Sequence, residues 1–146
     1  MSREAVRLRS AISYAACVWA ALFAAPHTWW ALGHPAGFPG GEASYHRFMS
    51  STWRYWYDVA VIVLSAAAIV VAAQLRRSSI RHARRQRLAR AAAWAGGGAL
   101  TLRGVAGLVV DGAADPVWWP TFLVGGVLFV SVAWLARAPE HTAAVP

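Results

Sequence analysis

Four blocks of apolar residues, each long enough to span a membrane, alternate with polar segments along this chain of 146 residues. A helix needs about 20 apolar residues to cross the hydrocarbon core of a bilayer. The blocks therefore predict four transmembrane helices, over residues 11–32, 57–75, 91–110 and 117–136. The predicted fold is all-α, an integral membrane four-helix bundle in which residues 11–136 form the single transmembrane domain.

The basic residues predict the orientation of this bundle. Arginines precede the first block, form a run of seven between Arg76 and Arg90, and follow the fourth block. The opposite side has only Arg47 and Arg54. Because the basic excess of membrane proteins lies in the cytoplasm, we expect a multi-pass protein of the inner (plasma) membrane. Its N-terminus, residues 1–10, and its tail, residues 137–146, would both be cytoplasmic, the tail disordered.

Composition narrows the class of protein further. Charged residues make up 14% of the chain, whereas soluble domains carry about 25%. All basic residues are Arg, which indicates a GC-rich bacterial genome. Because they cluster beside apolar blocks, membrane lipid is the expected partner and nucleic acid is not. The single Cys17 excludes a disulfide within the chain, and the five His lack ligand spacing, so no metal or cofactor is predicted.

The candidate site consists of polar residues in or beside apolar blocks. Arg103 lies about 13 residues into the third block, where a charge costs about 2.5–3.5 kcal/mol on insertion scales. In the predicted topology His27, Asp58 and Asp111 also fall in the outer half of the membrane, so the four residues converge there. Such residues usually face the interior and mark functional sites.

Each member also has a structural interpretation. Arg103 could extend to the interface or form a structural ion pair. The carbonyl that Pro26 frees in its helix could bond to His27. Asp58 would interact favourably with the N-terminal dipole of the second span, and Asp111 could cap a turn. The sequence alone does not decide between the functional and the structural interpretations of these residues.

Aromatic and small residues complete the pattern. Most of the nine Trp fall at predicted span ends, as in an interfacial aromatic belt, and some of the outer ones could line a pocket. Ala93, Gly97 and Thr101 are spaced by four in the third block. A helix face of small residues lets membrane helices approach closely, so this face is expected to pack against a neighbour.

The segment from His27 through Trp30 to Gly33 resembles a known family. It is similar to small four-span bacterial membrane proteins that carry a His-x-x-Trp-Ala-x-Gly signature and have no assigned activity. The resemblance extends in layout from about Ala11 to Ala136. It implies a four-span membrane protein and draws attention to His27 and Trp30, which share a helix face.

Three functions are compatible with these residues. The first is a binding or accessory protein whose outer polar and aromatic pocket holds an anionic or amphipathic small molecule, with Arg103 as the charge. The second is a membrane enzyme that acts on an isoprenoid-like or other lipophilic substrate by acid/base chemistry. The third, a small transporter working as a homo-oligomer, is the least favoured, because the charge deepest in the membrane is an arginine rather than an acid. The residues do not decide whether the protein is an enzyme.

Overall fold

A computed structural model describes residues 3–76, 83–110 and 117–136. These residues form helices and connecting turns, with no strand in the described ranges. The helices are α1 (Arg3–Ala31), α2 (Gly41–Met49), α3 (Thr52–Arg76), α4 (Ala83–Val110) and α5 (Trp118–Leu135). Four of them, α1, α3, α4 and α5, are long and apolar enough to cross a membrane. The all-α class with four spanning helices is thereby confirmed.

Several helices extend beyond the apolar blocks. The first helix begins at Arg3 and contains 29 residues, which corresponds to about 44 Å and exceeds the hydrocarbon core of about 30 Å. The third begins at Thr52 and the fourth at Ala83, five and eight residues before the expected spans. Arg, Ala, Leu and Glu favour helices whether or not they lie in lipid, so hydropathy marks the membrane segment and not the helix end.

The connection between the first two spans contains a helix that hydropathy does not predict. It is α2, nine residues long and flanked at its start by Gly40 in a left-handed conformation. Tyr45 is its buried residue, whereas Glu42 and Arg47 are exposed. One buried aromatic face on a short polar helix explains why this element carries no spanning signal.

The contact between α4 and α5 relies on glycines. A side-chain carbon at Gly97 would lie 2.9 Å from the backbone nitrogen of Val130, and one at Gly126 would collide with Thr101. At Gly104 it would lie 2.9 Å from the nitrogen of Leu123. The expected close packing of the small-residue face is confirmed, because this contact admits no side chain at these positions.

The chain divides into two compact units. One comprises Met1–Cys17 with Val70–Pro146, and the other comprises Val18–Ile69. The second, called here the Val18–Ile69 unit, is described throughout and holds the end of α1, all of α2 and most of α3. Each unit is considered by itself below.

Candidate functional site

A buried hydrogen bond joins His27 on α1 to Asp58 on α3. The atoms His27 Nδ1 and Asp58 Oδ1 are 2.6 Å apart, and the two residues are only 6% and 1% exposed. When Asp58 is ionised it can only accept, so Nδ1–H of His27 donates. The second carboxylate oxygen, Asp58 Oδ2, is also buried and has no hydrogen-bond partner among the described residues. Polar groups this buried are costly unless they are paired.

The positions of the two residues weaken their structural interpretations. Pro26 lies inside a continuous α1, yet Nδ1 of His27 contacts Asp58 and not a freed carbonyl. Because α3 begins at Thr52, Asp58 lies in its second turn. The favourable effect of the helix dipole is confined to the first turn. The pair thus has the features of a specific interaction between two helices.

Aromatic rings surround the imidazole of His27. Their centroids lie 5.3 Å away for Phe23, 5.3 Å for Trp30 and 6.3 Å for Tyr57. Trp30 is buried, whereas Phe23 is partly exposed and Tyr57 is 47% exposed. The polar pair is therefore enclosed by apolar walls, two of which reach the surface of the chain.

The end of α1 explains the glycine that follows Trp30. The backbone N–H of Gly33 donates to the carbonyl of Trp30, and that of His34 donates to Trp29. These two bonds form a Schellman motif, which requires a left-handed residue after the helix. Gly33 supplies it with φ +97°. The imidazole of His34 also stacks on the Trp29 ring, with centroids 4.0 Å apart, as the apolar contact of this motif usually does.

The loop after α1 and helix α2 pack together over Trp30. The hydroxyl of Tyr45 donates to the carbonyl of Trp30 at 3.0 Å, and Trp30 Nε1 donates to the carbonyl of Ala36 at 3.4 Å. The Phe38 ring lies between them, 5.0 Å from Trp30 and 5.5 Å from Tyr45. This aromatic cap holds Trp30 against His27 and so positions one wall of the site.

Arg103 lies in the other unit, on α4. Its guanidinium is 5.2 Å from the centroid of the Phe122 ring on α5, and a side-chain carbon at Gly107 would meet Arg103 NH1 at 3.2 Å. The side chain is exposed and extends toward the C-terminal end of its helix. Within this unit, none of the described residues forms an ion pair with it. These contacts fit the interpretation that Arg103 extends toward the interface.

The sequence indicates five candidate site residues, which are His27, Trp30, Asp58, Arg103 and Asp111, and the structure brings three of them together. His27, Trp30 and Asp58 are in contact or paired, and Asp111 lies outside the described residues. Sequence reasoning did not single out Phe23 or Tyr45 for the site. Phe23 lies one helical turn before His27, and that spacing could have identified it. Tyr45 is brought near by the turn after Gly33, which leaves no periodic signal.

The chemistry available at this site is that of a carboxylate and an imidazole in an apolar enclosure. Asp58 fixes the orientation of the His27 ring, and the pair can hold, accept or donate one proton. Ring faces carry partial negative charge and attract cations. Among the described residues no group of three or more His, Cys, Asp or Glu is arranged to hold a metal ion.

No family model, no curated protein and no solved structure matches this chain. The resemblance through His27, Trp30 and Gly33 therefore stays an expectation, although each of these residues has a defined structural part in the site.

Proposed function

We propose that this chain is a multi-pass protein of the bacterial inner membrane that binds an amphipathic ligand in the outer leaflet. The ligand's polar group would meet the His27–Asp58 pair, and its apolar part would lie against the rings of Phe23, Trp30 and Tyr57. Four helices of spanning length and composition support the membrane environment. The arginine distribution supports the orientation.

The observation that carries the proposal is the buried pair itself. Ionisable residues inside a membrane protein are costly and usually serve a function. A carboxylate at 1% exposure that leaves one oxygen without a partner among the described residues has capacity for one more hydrogen bond. Binding sites for small molecules typically combine apolar walls with a few placed polar groups, and this arrangement is of that kind.

A second candidate, an enzyme using acid/base chemistry, is favoured by one specific observation. Asp58 contacts Nδ1 of His27, which leaves Nε2 as the atom that would exchange a proton with a lipophilic substrate. An Asp that orients a His in this way is a recurrent catalytic arrangement. Binding comes first in either function, so the same experiment bears on both.

The test is native mass spectrometry of the protein extracted gently from its own membrane. Wild type would be compared with Asp58→Asn and with Glu42→Gln. The second is a matched control, because Glu42 also pairs with a histidine, His46, but the pair is exposed. We expect a bound molecule of defined mass in wild type and Glu42→Gln and its loss in Asp58→Asn.

Retention of the same molecule by a folded Asp58→Asn protein would contradict the proposal. So would spectra in which all three proteins carry only the bulk lipids of the membrane. Recovery of the bound molecule in a chemically altered form after incubation with the protein would favour the enzyme over the binding protein.

A further inference from the structure

The sign of charge around the His27–Asp58 pair indicates which ligands this site selects. The inference rests on the function proposed above and adds the chemical class of the ligand's polar group. The sequence alone favours an anionic or amphipathic ligand, because Arg103 is the prominent charge. The described geometry gives the pair a different environment.

The two carboxylate oxygens of Asp58 differ in their hydrogen bonding. Oδ1 accepts from His27 at 2.6 Å, whereas Oδ2 is buried without a hydrogen-bond partner among the described residues. A hydrogen-bond donor that reaches Oδ2 gains a bond to a charged acceptor, and such bonds are among the strongest in proteins. An anion placed there would instead meet a like charge in an environment of low dielectric constant.

The aromatic walls act in the same direction. The ring centroids of Phe23, Trp30 and Tyr57 lie about 5–6 Å from that of the His27 imidazole, and aromatic rings attract ammonium groups placed over their faces. The Val18–Ile69 unit, described in full, contains two arginines. Arg47 is exposed, and Arg54 lies over the Phe48 and Trp53 rings. Neither arginine therefore pairs with the carboxylate of Asp58.

Access is compatible with a ligand that arrives from the bilayer. Tyr57 is 47% exposed and Phe23 is partly exposed, and both rings flank His27. Rotation of such surface side chains occurs within nanoseconds. A ligand with an alkyl or ring tail could therefore insert its head group between helix walls while the tail stays in lipid.

We propose that the ligand is an amphipathic amine in its ammonium form, whose N–H donates to Asp58 Oδ2 while its carbon skeleton packs on the three rings. The carboxylate of Asp58, when ionised, complements one ammonium group. The same arrangement disfavours a carboxylate or phosphate head group, because it would repel an ionised Asp58.

The experiment uses the full chain in lipid nanodiscs and three probes with one tail: dodecylammonium, dodecanol and dodecyl phosphate. Binding is measured by isothermal titration calorimetry, with empty nanodiscs giving the contribution of partition into lipid. We expect saturable binding of dodecylammonium alone. Asp58→Asn should weaken it by about 10- to 100-fold, the value of a hydrogen bond to a charged group. Glu42→Gln, which alters only the exposed pair with His46, should retain it.

The outcomes separate the two proposals. Saturable binding of dodecyl phosphate, or equal binding of dodecanol, would overturn the amine while leaving a binding site. No saturable binding of any probe would overturn the binding function at this site as well. If Asp58→Asn fails to fold, as judged by circular dichroism, the ranking of the three probes on wild type still decides the question.

Discussion

At the scale of single residues, the defining feature is the burial of His27 and Asp58 against each other. Their separate polarity could be recognised in the sequence, because each interrupts or borders an apolar block. Their pairing could not be derived, since several acids and one arginine were equally compatible partners by depth. The structure resolves this choice through the 2.6 Å hydrogen bond between His27 and Asp58.

We expect energetic coupling between these two side chains. Replacing either His27 or Asp58 by Ala should lower the free energy of unfolding by about 1–3 kcal/mol, because the other group is left buried without its partner. The double variant should lose less than the sum, with a coupling of about 0.5–3 kcal/mol. Denaturant titration in detergent micelles measures all four proteins.

The exposed pair of Glu42 and His46 provides the control cycle. Their side chains are 73% and 67% exposed and 3.4 Å apart, and exposed ion pairs contribute little. Its coupling should therefore stay below about 0.5 kcal/mol. If the losses in the free energy of unfolding at His27 and Asp58 are additive, so that their coupling is as small as in this control, the buried pair contributes no specific interaction.

At the scale of elements, the apolar blocks predict the four long helices well and their ends poorly. A transmembrane helix must be long enough to cross the hydrocarbon core of the bilayer. The residues at which a helix begins and ends depend instead on capping groups and local helix propensity. The turn after Gly33 and helix α2 illustrate the difference. Both rely on left-handed glycines and one buried tyrosine, and neither alters hydropathy enough to be predicted.

Gly97 and Gly98 on α4 provide a sharp test of helix contact. A methyl group at Gly97 would meet the backbone of Val130 at 2.9 Å, whereas one at Gly98 meets nothing within 4 Å. Gly97→Ala should lower stability by about 1–3 kcal/mol, because α4 and α5 must separate. Gly98→Ala should be neutral or stabilising. Thermal unfolding in detergent compares the two, and equal effects would contradict the described contact.

Gly33 tests the end of α1. Its φ of +97° is unfavourable for a residue with a side chain, although a side-chain carbon there would meet no atom within 4 Å. Gly33→Ala should therefore cost about 1–2 kcal/mol through backbone conformation alone. Gly33→Asn should cost less, since Asn adopts left-handed conformations more readily. The same unfolding titration measures both, and a harmless alanine would argue against the Schellman motif.

At the scale of the whole molecule, the distribution of arginines is the basis for the proposed orientation in the membrane. Along the chain, the arginine run falls between the second and third spanning helices, whereas the arginine-poor connection containing α2 falls between the first and second. The proposed orientation places the arginine run in the cytoplasm. Arg103 belongs to neither group, and its contact with Phe122 shows that depth in a sequence block does not predict the partner of a charge.

Reporter fusions test this orientation. A periplasm-active phosphatase fused at Gly41 should be active, and one fused at Arg84 should be inactive, because an arginine-rich segment is retained in the cytoplasm. A cytoplasm-active reporter at the same two positions should give the opposite pattern. The reverse activities would invert the topology and move the proposed site to the inner leaflet.

The measurement that tests the central claim most directly is photolabelling in native membranes with a diazirine-bearing alkyl amine, followed by peptide mapping. The claim is that an amphipathic ligand binds beside His27 and Asp58. We predict saturable adducts on peptides containing Phe23, Trp30 or Tyr57, and their loss in Asp58→Asn. Adducts confined to α4 and α5 near Arg103, unchanged by that substitution, would contradict it.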